Sequence, residues 1–164
     1  MAHTIRRWIA IILALCLPAG AKALDHCEAL GNLDLPDVTI ASVTDADQPA
    51  PHCRVEGRIG TTIRFAIWLP TDWNGKFVMG GGGGFAGSLQ NQALGLGVLQ
   101  RGYATATTDT GHQAGAVDGR WALADYEAIV NYGHLAVHRT AVVAKAVVRD
   151  YYEDAPQASY FFGC

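Results

Sequence analysis

The sequence is poor in charge and contains no apolar run long enough to cross a bilayer. Only 16% of its 164 residues are Asp, Glu, Lys or Arg, and basic residues nowhere cluster with interleaved aromatics. Nucleic acid is thereby excluded as an expected partner. The apolar stretch from Trp8 to Leu17 is about half of the ~20 residues that a spanning helix needs, and Pro18 interrupts it. Arg6-Arg7 precede it and Ala21-Lys22-Ala23 follow it, so residues 1–23 read as a secretory signal and residues 24–164 as the mature segment. Once the signal is cleaved, no membrane attachment is expected. Processing removes Arg6, Arg7 and Lys22, leaving 9 basic against 15 acidic residues, a formal charge of −6. Internal repeats and low-complexity tracts are missing too, apart from one run of glycine.

Cysteine is scarce. Of four, Cys16 leaves with the signal, while Cys27, Cys53 and Cys164 reach an oxidising compartment, secreted or periplasmic. Three is an odd number, so one thiol stays free or pairs outside the chain. Cys27 and Cys53 are the local pair, closing a loop rich in Pro, Asp and Ala. Cys164, the last residue, is left over.

What the sequence does have is Gly80-Gly81-Gly82-Gly83-Gly84, entered from Phe77-Val78-Met79 and closed by Phe85-Ala86-Gly87. Without Cβ atoms the backbone can approach a ligand closely and present a row of N–H groups, which suits negative charge. A Walker A loop is excluded, because Gly87-Ser88 lacks the lysine. A dinucleotide fingerprint fits formally: Gly82, Gly84 and Gly87 spell GxGxxG and Asp109 follows ~20 residues on. Inside an all-glycine run that match carries little information. The third reading is an oxyanion hole, with one N–H donor from the loop after a parallel strand and a second from the residue after a nucleophile.

The surrounding pattern predicts an α/β fold. Val38–Val43, Arg54–Ile59 and Thr62–Leu69 alternate as short strands of an antiparallel meander, and Pro70–Gly75 forms a turn. Lys76–Met79 is a buried strand that delivers the glycines. Ser88–Leu99 then reads as a helix, Tyr103–Thr108 as a strand, Asp125–Tyr152 as a long helix and Ser159–Phe162 as a short apolar strand. The stripe of the long helix runs through Ile129, Tyr132, Ala136, Val143, Val147 and Tyr151, with a break or tight contact expected at Gly133. Alternating strand and helix implies a parallel sheet. An apolar final strand with no helix after it reads as a truncated domain.

Other polar residues carry less. Asp109 and His112 follow a strand, where a base can sit, yet loop ordering is the stronger expectation. His134 and His138 have the i, i+4 spacing of a zinc site without the glutamate of HExxH, so no metal is expected. Trp73 and Trp121 read as packing anchors, Trp121 being placed in a loop where it could face an aromatic substrate.

Several segments together resemble the tannase and feruloyl esterase family. They are Asp72–Phe77, Gly81–Gly87, Gly102-Tyr103-Ala104, Thr108–His112, Asn131-Tyr132-Gly133, His138 and Ser159–Cys164, in the family's order. Where the family carries an arginine near position 135, this chain has Leu135. The resemblance implies the N-terminal part of an α/β-hydrolase domain that acts, when complete, on small-molecule esters of aromatic acids such as ferulate or gallate. It implies a nucleophilic serine directly after Cys164 and a disulfide from Cys164 to a cysteine beside the catalytic histidine. The triad, the lid and the lid's structural calcium all fall after this sequence, and no cofactor is implied. The fragment alone is expected to be inactive. What it retains is one oxyanion donor, placed at Gly83 with Gly82 and Gly84 as neighbours. Two other classes remain at this level, a nucleotide-binding domain and a non-catalytic secreted module; the oligomeric state is not legible.

Overall fold

The structure is a computed structural model that describes residues 26–163. The expected signal peptide over residues 1–23 and Cys164 lie outside the described residues. Six strands form one mixed sheet: β1 (Val38–Ala46), β2 (His52–Ile59), β3 (Ile63–Pro70), β4 (Lys76–Gly80), β5 (Ala104–Thr108) and β6 (Ala158–Phe162). They lie in the order β1-β2-β3-β5-β4-β6. The meander β1-β2-β3 is antiparallel and joins β5 antiparallel, whereas β5, β4 and β6 run parallel to one another. All six strands stand where the sequence pattern puts them, with boundaries shifted by one to three residues, β5 starting at Ala104 and β3 at Ile63, each one residue later than expected.

The long helical pattern resolves into three pieces: α1 (Tyr126–Val130), a π-helical turn (Asn131–Leu135) and α2 (Ala136–Tyr152). Asp125 caps α1, its side chain accepting from the Ala128 N–H. The irregularity contains Gly133, and a Cβ there would meet nothing, so this glycine marks a break and not a tight contact. The wider turn also shifts the stripe. Ala136, Val143, Val147 and Tyr151 are buried as expected, while Ile129 is exposed, because it precedes the shift.

Strand β3 is buried on both faces, which explains its run Phe65-Ala66-Ile67-Trp68-Leu69. Phe65, Ile67 and Leu69 pack with Val55, Phe77 and Met79 against Val143, Ala144, Val147 and Val148 of α2. Ala66 and Trp68 pack against Leu99 on the opposite face. No α-helix forms over Ser88–Leu99; a 3-10 segment, Gln92–Leu96, occupies the place. Gly95 and Gly97 weaken a regular helix there, and Gly97 takes φ +67° to end the turn. Asn91 is the alternative organiser. Its Oδ1 accepts from the Ala93 N–H at 3.0 Å and its Nδ2 donates to Thr105 Oγ1 at 2.9 Å.

The short apolar strand β6 lies at the edge of the sheet, parallel to β4, with Tyr160, Phe161 and Phe162 exposed. Among the described residues, no helix is long and apolar enough to cross a membrane.

Cys27 and Cys53 form a disulfide that ties the segment before β1 to β2. Replacing both by serine should cost about 3 kcal/mol in the chain-entropy picture, read as a lower urea midpoint at unchanged slope. Unchanged stability would show that the segment before β1 is held by its packing alone.

Candidate active site

The glycine run leaves the C-terminal end of β4 at the same edge as the end of β6. Parallel pairing continues past the strands: the Gly81 N–H donates to the Phe162 carbonyl at 2.8 Å. A Cβ on Gly163 would lie 3.2 Å from Gly81 Cα, so the two backbones touch where neither residue has a side chain. Beneath the run, the Thr107 hydroxyl lies 2.9 Å from the Gly80 carbonyl and 3.0 Å from the Gln90 carbonyl. That hydroxyl fastens the base of the loop to β5.

Further along, the loop is closed by backbone bonds from two directions. The Ala86 N–H donates to the Gly83 carbonyl at 3.0 Å, and the Gln92 N–H to the Gly81 carbonyl at 3.4 Å. From the loop after β5, the Ala116 carbonyl accepts from the Phe85 N–H at 2.7 Å and the Ala114 N–H donates to the Gly87 carbonyl at 3.3 Å. Gly84 sits at φ +58°, and a Cβ on it would come within 2.2 Å of the Ala116 carbonyl oxygen. Only glycine fits that contact. The N–H groups of Gly82, Gly83 and Gly84 have no acceptor among the described residues, whereas the Gly81 N–H and the carbonyls of Gly80, Gly81, Gly83 and Gly84 are engaged. A cavity of about 160 Å³ opens beside them, lined by Gly82, Gly84, Thr110, Tyr132 and Phe161.

Three successive N–H groups without acceptors suit an anion or an oxyanion. They do not suit a dinucleotide. That fingerprint needs a helix N-terminus for the pyrophosphate, and the glycine run leads only into the 3-10 segment. Asp109 is also turned away from such a role. Its carboxylate is buried, with Oδ1 accepting from the Arg64 N–H at 3.0 Å and the Gly111 N–H at 2.9 Å. These bonds clasp the loop after β5 onto β3.

His112 follows on that loop, with Nδ1 3.3 Å from the Thr110 hydroxyl. Its ring stacks on Trp121, centroids 3.8 Å apart, and meets Tyr132 edge-on. Phe85 meets both Trp121 and Tyr132 edge-on, so the four rings form one cluster around the back of the glycine loop. Trp121 thus packs on His112. Sequence patterning placed Asp109 and His112 in a loop but gave no sign of this cluster, since its members come from four separate segments. Burial pushes the His112 imidazole below its ordinary pKa, favouring the neutral ring that stacks here. His134 and His138 are exposed, and the π-helical turn removes the regular i, i+4 register between them. The one grouping of three His, Cys, Asp or Glu among the described residues is Cys27, Asp45 and Cys53. It does not fit calcium, which takes oxygen ligands, because two of its members are joined as the disulfide.

Burial raises the Asp109 carboxyl above its ordinary value, outweighing the two backbone N–H groups, Arg64 and His112 that favour its charge. The folded state therefore holds this proton to higher pH than the unfolded chain, and stability falls as pH rises above the ordinary Asp value of ~3.9. Asp109→Asn keeps an oxygen for both N–H groups and removes the titration. Its Tm relative to wild type should rise as pH increases above about 4 in thermal melts, and a constant difference would contradict the burial argument.

A family model described as tannase and feruloyl esterase matches residues 47–164. Among curated proteins, the chain is 38% identical to an uncharacterized esterase of Xanthomonas campestris pv. campestris, covering 96% of this chain and 30% of that one. It is 28% identical to feruloyl esterase B of Aspergillus niger, covering 95% and 35%. A solved esterase from Aspergillus oryzae superposes with a TM-score of 0.77 at 25% identity, covering 85% of this chain and 32% of that one. The chain thus spans about a third of the length of these relatives, and its mixed six-stranded sheet is that of part of an α/β-hydrolase fold. By sequence and by fold, the chain belongs to the tannase and feruloyl esterase family.

Proposed function

We propose that this chain supplies the oxyanion-stabilising part of an exported serine esterase acting on small esters of aromatic acids. The observation that carries the reading is the row of N–H groups without acceptors at Gly82, Gly83 and Gly84, which follows directly on Gly81, the residue that abuts Gly163 at the end of β6. Membership of the family supplies the reaction class. A serine directly after Cys164 would attack the ester carbonyl, and the carbonyl oxygen would take up the negative charge. The N–H row, with Gly83 at its centre, would donate to that oxygen as the charge develops. A histidine outside this sequence would take the serine proton and pass it to the departing alcohol; water would then release the acid from the acyl-enzyme. On this reading no triad member lies within the 164 residues, which are inactive by themselves.

Cys164 would bridge to a cysteine near that histidine, and a calcium would sit in the lid; neither partner lies in this sequence. The Cys27–Cys53 disulfide supports an oxidising, secreted or periplasmic destination. Asp109 and His112 order the loop behind the glycines and take no part in bond making.

The full-length gene product should hydrolyse methyl ferulate or methyl gallate and be phosphonylated by a serine-directed organophosphate. A folded product inert to both ester classes and to the organophosphate would refute the assignment. In the active protein, Gly84→Ala forces the backbone away from Ala116 and should lower kcat by ~10²-fold or more, the scale of a lost oxyanion donor. The measurement is steady-state kinetics on protein with wild-type circular dichroism.

A further inference from the structure

A glycine run is a poor donor array unless something outside it holds its peptide planes. Each plane can turn over at little cost where no Cβ restricts the flanking torsions, and a turned plane presents a carbonyl where an N–H is needed. The bonds that fix the planes here are mostly backbone to backbone. Side chains hold two carbonyls, Thr107 that of Gly80 at the base of the loop and Tyr132 that of Gly84 beyond the free N–H groups. The hydroxyl of Tyr132 donates to the Gly84 carbonyl at 3.1 Å, while the N–H of the same peptide, on Phe85, donates to Ala116 at 2.7 Å. The Gly84–Phe85 plane is therefore held at both ends, directly after the three free N–H groups.

Tyr132 reaches this carbonyl because of the π-helical turn. Asn131 begins that turn and is buried, its Nδ2 donating to Thr62 Oγ1 at 3.2 Å while its side chain packs against Gly111. With Asn131 so anchored, the next residue projects toward the glycine loop, and its ring meets Phe85, His112 and Trp121 at centroid distances of 6.1, 5.9 and 5.1 Å. The rings fix where the tyrosine lies. The hydroxyl alone reaches the peptide.

We infer that Tyr132 is a positioning residue for the oxyanion donors: its hydroxyl locks the Gly84–Phe85 peptide and thereby fixes the orientation of the adjoining Gly82–Gly84 N–H groups. The catalytic consequence rests on the esterase reading above, whereas the locking itself does not. Three full-length proteins test it: wild type, Tyr132→Phe, which removes only the hydroxyl, and Tyr132→Leu, which also removes the ring. Tyr132→Phe should keep the wild-type Tm and KM for methyl ferulate while kcat falls about three- to tenfold, the worth of one neutral hydrogen bond. Tyr132→Leu should lower both Tm and kcat. Hydrogen exchange gives a readout independent of activity, the Phe85 amide of Tyr132→Phe exchanging faster by about the same three- to tenfold factor.

Wild-type kcat and wild-type Phe85 exchange in Tyr132→Phe would overturn the inference. So would a loss of kcat matched by a loss of Tm, which marks a role in folding only. If the wild-type protein hydrolyses no ester, the proposed function fails, and the exchange comparison still decides whether the hydroxyl locks the loop.

Discussion

The site depends on the parallel pairing of β4 between β5 and β6. Parallel strands deliver their C-terminal ends to one edge, so the glycine run after β4, the Asp109 loop after β5 and Gly163 after β6 all emerge together. The ladder does not stop with the strands. The Gly81 N–H continues it to Phe162, and the absence of side chains at Gly81 and Gly163 lets the two backbones close up. A Cβ at Gly163 would press on Gly81 Cα and on the ring of Phe161, forcing the two strand ends apart.

Glycine supplies access and costs order, and the rest of the local structure restores that order. Thr107 fastens Gly80 from below, Ala114 and Ala116 pair with the far side of the loop, and the cluster of Phe85, His112, Trp121 and Tyr132 closes the back. Asp109 belongs to the same support at one remove, since its carboxylate holds the loop that carries His112, Ala114 and Ala116. Donors fixed before the charge develops need no reorganisation at the moment of reaction, which is where such a site gains its effect.

The strands were legible because their burial alternates or is continuous over short runs: β3, buried on both faces, reads as Phe65 to Leu69 without a break. The glycine run was legible as a loop at the end of a buried strand, because five residues without Cβ end a strand and let the backbone approach its neighbours closely. The helix expected over Ser88–Leu99 was not, since apolar spacing cannot show that Asn91 would turn inward to Thr105 and organise a 3-10 segment instead. Nor could the spacing of the long helix show the π-helical turn. Gly133 marked a weakness there, but the shift is set by Asn131 packing on Gly111, a contact between distant segments. The same shift moved Tyr132 from the core stripe to the site.

The proposed function requires an N–H of Gly82, Gly83 or Gly84 to bind the oxyanion. The direct measurement is an amide NMR spectrum of the full-length protein, labelled with 15N-glycine, before and after reaction with an aromatic phosphonate ester that leaves a tetrahedral oxyanion on the nucleophile. The account predicts a downfield shift of at least one of these three amide protons as it takes up a charge-assisted hydrogen bond. Unchanged resonances for all three in the fully phosphonylated protein would contradict it.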